Sequence, residues 1–163
     1  MSHPGNKAVR LQRRIGAALL GLTMLGVAAS GAGLVFPDAV PAERITVEFG
    51  VGAKLDGEAG AGVAAAANAL LDRPEAIAVI TGHTGAQGDA AANLKLSQDR
   101  AEAVRAALVA AGIPDDRILT NGVGGTVAPD PVEGETEAAL AQRTKRAEIR
   151  IVERRLLAET ALR

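Results

Sequence analysis

Ile80-Thr81-Gly82-His83-Thr84-Gly85-Ala86-Gln87-Gly88-Asp89, followed by Ala90-Ala91-Ala92-Asn93-Leu94-Lys95-Leu96-Ser97-Gln98-Asp99-Arg100-Ala101, runs from an apolar strand through a glycine-rich loop into a helix. The strand begins upstream, where Ala76-Ile77-Ala78-Val79-Ile80 is a continuous apolar run of the kind that both faces of an interior strand require. Periodicity predicts a helix from Ala90 to Ala111, closed by Gly112 and Pro114. On a wheel of about 100° per residue, Leu96, Ala101, Val104 and Leu108 share one apolar sector, and Asn93, Ser97 and Arg100 fall inside it. Lys95, Gln98, Glu102 and Arg105 take the opposite side, as solvated residues should. An arginine on an apolar face needs an anion or a cleft, because a buried unpaired charge costs several kcal/mol. Two partners are open to Arg100: an internal acid, or a ligand held near the first half of the helix, under the Gly82 to Gly88 loop. On the second reading, truncating Arg100 costs binding and leaves stability intact.

Outward from this stretch, Ile45, Val47 and Phe49 alternate with Thr46 and Glu48, the pattern of a half-buried strand. Glu58 to Asp72 is alanine-rich, sets Val63, Ala66, Ala67 and Leu70 at helical spacing, and stops before Pro74. A third strand is expected at Arg117 to Thr120, a loop at Asn121 to Gly134 and a helix at Glu135 to Thr144. Ala147, Ile149 and Ile151 then alternate with Glu148 and Arg150 in a last strand. The order βαβαβαβ predicts an α/β open two-layer sandwich, with one helical layer on one sheet. Glu153 to Arg163 reads as a short helical tail.

Composition removes several function classes. The 18 Lys and Arg nearly balance the 19 Asp and Glu, so no basic field exists to draw in nucleic acid. Cysteine is absent and His83 is the only histidine after residue 36, which leaves no metal-ligand set. Phe36 and Phe49 are the only aromatics, so a polymer ligand must be held by hydrogen bonds and charge and not by stacking. The glycines Gly82, Gly85 and Gly88 fit neither the dinucleotide fingerprint nor the phosphate-binding loop. Ser97, the one serine after residue 37, lacks a nucleophile-elbow setting. Neither an enzyme nor a cofactor is expected.

Before the domain, residues 1–14 carry Lys7, Arg10, Arg13 and Arg14 and no acid, and residues 15–36 carry no charge. About 22 helical residues at ~1.5 Å each span about 33 Å, enough to cross a hydrocarbon core of about 30 Å. The basic residues are expected to stay cytoplasmic, with everything after Pro37 delivered outside. Residues 15–36 suit a single-pass inner-membrane anchor or a cleaved signal peptide, the latter through the small residues Ala28-Ala29-Ser30 and Ser30-Gly31-Ala32. Leu34-Val35-Phe36 extends the apolar run beyond them and favours the anchor. Residues 37–43 form a short linker, 44–152 the domain and 153–163 the tail.

The residues Ile80-Thr81-Gly82-His83-Thr84, Gly88, Asn93, Leu96-Ser97, Arg100-Ala101, Val104 and Leu108 resemble the signature of OmpA-like peptidoglycan-binding domains. Gly112-Ile113, Arg117-Ile118, Gly122, Gly124, Pro129 and Lys145-Arg146-Ala147-Glu148-Ile149 extend the resemblance over about residues 44–152. It implies helices packed on one mixed sheet, in a cell-envelope protein that binds the diaminopimelate of the peptidoglycan stem peptide non-covalently. It also implies that Arg100 grips the ligand's carboxylate as a bidentate fork, with Asn93, His83, Thr84, Ser97 and Arg146 shaping the pocket. The chain departs from the signature at Gly85, where the family has the Asp that takes the ligand's ammonium, and Asp89 in the same loop is the candidate substitute. Thr144 and Lys145 stand where the family has Asn and Arg. Gly85 also keeps open a rival role, a module of the same fold that docks to another envelope protein. For the topology, an alkaline phosphatase fused after Ala42 is expected to be active, and a cytoplasmic reporter fused there silent.

Overall fold

The computed structural model describes residues 42–130 and 132–156. Residues 15–36, with their expected hydrophobic helix, lie outside it, as does the tail beyond residue 156. Among the described residues no helix is long and apolar enough to cross a membrane.

The elements follow the expected order: β1 (Glu43–Glu48), α1 (Gly57–Leu71), β2 (Ala76–Gly82), α2 (Ala90–Ala110), β3 (Ile118–Gly122), α3 (Glu137–Arg143) and β4 (Arg146–Glu153). A 3₁₀ turn at Asp115–Arg117 precedes β3. The sheet runs β1-β4-β2-β3, with β2 parallel to β3 and β4 antiparallel to both β1 and β2. It is the mixed sheet that the family resemblance implies.

Strand parity divides the residues between two faces. Val47 and Phe49 of the β1 segment, Ala76, Ala78 and Ile80 of β2, and Ala147, Ile149 and Ile151 of β4 meet Val63, Ala66 and Leu70 of α1 and Ala101, Val104 and Leu108 of α2 in one core. Each large apolar side chain buried there stabilises the fold by roughly 1.5–3 kcal/mol. On the opposite face, Ile77, Val79 and Val152 form a smaller cluster with Ala42, Leu119 and Leu156. The helical layer thus consists of α1 and α2, while α3 is seven residues long and buries none of them.

The closest approach between the layers is at β2 and β3. A methyl group at Gly82 would overlap the backbone carbonyl of Ser97 on α2, and one at Gly122 would come within 2.6 Å of the Gln98 nitrogen. Both strands run two residues past the expected limits because Gly82 and Gly122 remain in register under the helix. Ser97 completes the lock, donating to the Leu94 carbonyl at 2.7 Å and accepting from the Gly124 N–H at 2.9 Å.

Gly82→Ala is therefore expected to lower unfolding stability by about 1–3 kcal/mol, the range for overpacking. Gly60→Ala, inside α1 where nothing lies within 4 Å of the added methyl, should leave stability unchanged or raise it. Urea unfolding of the two variants beside the unaltered chain measures the difference.

Candidate ligand-binding site

Arg100 joins two loops. Its Nε donates to the Gly52 carbonyl at 2.9 Å and its Nη1 to the His83 carbonyl at 2.7 Å. The guanidinium carbon lies 5.4 Å from the centroid of the Phe49 ring. At 2% exposure it is the largest fully buried side chain described. The internal acid that the sequence left open is not there: among the described residues no carboxylate pairs with Arg100. Desolvation lowers its pKa from the ordinary arginine value without an opposing charge. These hydrogen bonds bear on the expectation that truncating Arg100 leaves stability intact, since truncation would strand the buried His83 carbonyl at roughly 1–3 kcal/mol, while the part-buried Gly52 carbonyl can turn to water.

The remaining helix-side residues mostly hold the loop in shape. Asp89 caps α2, accepting from the Ala92 N–H at 2.7 Å, and is exposed. Asn93 Nδ2 donates to the Gln87 carbonyl at 2.8 Å. The Thr84 N–H donates to Gly124 at 2.9 Å, and its hydroxyl to the Gly85 carbonyl at 3.2 Å. Gly85 does not have a positive φ, and a Cβ there would meet only Gln87 Oε1 at 3.2 Å and Thr144 Oγ1 at 3.6 Å. Thr84, Gly85, Asp89, Asn93, Ser97 and Arg100 thus cluster around one loop and the first half of α2.

His83 and Arg146 do not join them with their side chains. His83 is next after Gly82 on β2, so parity sends its ring to the opposite face of the sheet while its carbonyl stays with Arg100. There the ring lines a polar cleft of about 620 Å³ together with Thr81, Asn121, Arg143, Arg146 and Glu148. The sequence reading missed this cleft, although the charged residues Arg146, Glu148 and Arg150, alternating with apolar ones, were its visible signal. Arg146 is 5% exposed and its Nε donates to Glu148 Oε1 at 2.8 Å. His83 is 3% exposed, its Nε2 stands 3.8 Å from that same oxygen, and its ring nitrogens make no close hydrogen bond, Glu148 and the Val127 backbone being their polar neighbours. Burial first and the Arg146 charge second pull its pKa down to about 4, against the opposite pull of Glu148 and the Val127 backbone.

The fold is a two-layer α/β domain in which a basic side chain is enclosed beneath two loops at one end of the sheet. Residues 40–146 match the model of the OmpA family, and the chain belongs to that family. The peptidoglycan-associated lipoprotein from Burkholderia pseudomallei is 30% identical, with a TM-score of 0.57, over 66% of this chain and 89% of that one. The OmpA-like domain of FopA1 from Francisella tularensis is 24% identical, with a TM-score of 0.55, over 66% of this chain and 70% of that one. The periplasmic domain of MotB from Helicobacter pylori shares the fold at 12% identity and a TM-score of 0.57, over 74% of this chain and 83% of that one. No curated protein matches the chain.

The imidazole gives a pH prediction with a definite sign. Its ordinary value is 6.5 and its folded value about 4, so between these the unfolded chain binds the extra proton. Stability is full above 6.5, declines as pH falls towards 4 and then levels, by at most about 3 kcal/mol from this group. Unfolding midpoints measured from pH 7 to 5 should fall, and His83→Gln should flatten the fall.

Proposed function

We propose that the domain binds peptidoglycan non-covalently in the cell envelope, taking the diaminopimelate of the stem peptide at the loop end of α2. The observation that carries this reading is Arg100, a buried cation with no described carboxylate partner, set beneath two loops. A ligand carboxylate would supply the missing countercharge and convert a desolvation cost into a charge-assisted contact. Family membership and the 30% identity to a peptidoglycan-associated lipoprotein support the same reading. In this role the domain is a binding module and not an enzyme, with Thr84, Gly85 and Asn93 shaping the rim. Asp89 has one carboxylate oxygen committed to capping α2, which leaves the other for a ligand ammonium.

Gly85 favours a second reading, a domain that keeps the fold but docks to another envelope protein, because a glycine offers no charge to an ammonium. Calorimetry with a diaminopimelate-containing peptide separates the two. Gly85→Asp is expected to tighten binding roughly tenfold or more, since a hydrogen bond to a charged group is worth about 1.5–3 kcal/mol. Asp89→Ala should weaken binding if Asp89 receives the ammonium. Absence of binding by both the unaltered chain and Gly85→Asp, together with failure to sediment with protein-free peptidoglycan, would select the docking role.

A further inference from the structure

We propose that the loop site prefers diaminopimelate whose free amine has been acylated, with Gln87 and Thr144 accepting from the resulting amide N–H beside the carboxylate that Arg100 holds. The inference rests on the reading of the loop site as a diaminopimelate site, and adds the chemical form of that residue which the site takes.

Three observations carry it. The first is what surrounds Gly85, the position from which an acidic side chain would reach an ammonium. A Cβ placed there would meet Gln87 Oε1 at 3.2 Å and Thr144 Oγ1 at 3.6 Å, so two uncharged oxygens flank one point. The Thr144 hydroxyl donates to the Ala141 carbonyl at 2.7 Å and keeps only lone pairs for that point. Gln87 uses its backbone carbonyl to accept from Asn93, while its side-chain amide has no partner among the described residues. Neutral oxygens satisfy an amide N–H, whereas an ammonium set against them gives up water without gaining a countercharge.

The second observation is charge. Arg100 has no carboxylate partner among the described residues, and Asp89 is exposed and already caps α2. An acylated centre brings one negative charge to meet the one buried positive charge. A free amine adds a second positive charge, which Gly85 does nothing to oppose. The third is room. The backbone of Gly85 lies outside the left-handed region, so the turn does not require a glycine there. The place that a side chain would take is bounded by the movable ends of Gln87 and Thr144 and not by backbone. Space and neutrality at one point are what an acylated nitrogen needs. A stem joined to another through that nitrogen carries this group, so the preference directs the domain to linked stems over unlinked ones.

Calorimetry on the full chain tests the preference with two probes: a diaminopimelate-containing peptide blocked at its N-terminus, and the same peptide also acetylated on the diaminopimelate amine. The acetylated peptide is expected to bind several-fold more tightly. Gly85→Asp should invert the order, tightening the free amine and weakening the acetylated form. Gln87→Ala, which removes an exposed side chain, should weaken the acetylated peptide several-fold, and Asp89→Ala should leave its binding unchanged. Tighter binding of the free amine by the unaltered chain, or undiminished binding of the acetylated peptide by Gln87→Ala, would overturn the preference and leave stem-peptide binding standing. Failure of both peptides to bind either the unaltered chain or Gly85→Asp would overturn the stem-peptide reading with it.

Discussion

The contact between Gly82 and the Ser97 carbonyl constrains everything downstream of it. A strand with a side chain at that position would hold α2 off the sheet by the thickness of a methyl group or more. With hydrogen there instead, the helix backbone rests on the strand, and Ser97 reaches the Gly124 N–H in the loop after β3. That loop in turn accepts from the Thr84 N–H at 2.9 Å, so the ends of β2 and β3 and the middle of α2 form one rigid corner. Three residues along α2 from Ser97, Arg100 extends towards the carbonyls of His83 and Gly52. The close approach that Gly82 permits is thus one condition for the place of the buried cation.

Much of this was legible in advance because the relevant signals are local. The alternation at Ile45, Val47 and Phe49, the continuous run at 76–80 and the apolar stripe of α2 gave the elements and the class of fold. The burial of Arg100 and Ser97 followed from the same stripe. What escaped depends on pairing between distant segments. Arg100's acceptors lie 48 and 17 residues away, and neither is a side chain, so no scan for acids could find them. Ending β2 at Ile80 hid a further consequence, since only a strand that continues to Gly82 assigns His83 a face. With the strand extended, its ring belongs with Arg146 and Glu148, opposite the helices.

At this corner the fold treats two basic groups in opposite ways. Arg100 and His83 are each nearly excluded from water, and desolvation penalises the charged form of both. Arginine cannot respond by losing its proton at any ordinary pH, so its charge persists and is spread over carbonyl dipoles and an aromatic face. Histidine can respond, and with Arg146 beside it, it does. One residue, His83, takes part in both outcomes: its carbonyl serves the cation on one side of the sheet, and its neutral ring lies on the other.

Gly85 differs from the glycines around it, and the difference bears on how the loop site is read. Gly82, Gly122 and Gly125 are glycines of necessity, because a side chain at any of them would strike backbone. Gly125, for example, would bring a methyl to within 2.6 Å of the Ala86 Cα. Gly85 is under no such demand. Its backbone lies outside the left-handed region, and the nearest atoms to an added Cβ are the ends of the Gln87 and Thr144 side chains, which can move. The fold would admit an aspartate here with little rearrangement. Its absence therefore alters the charge of the loop and not its shape, which leaves the Arg100 end of the site in place and removes a negative charge only from the end that would face an ammonium.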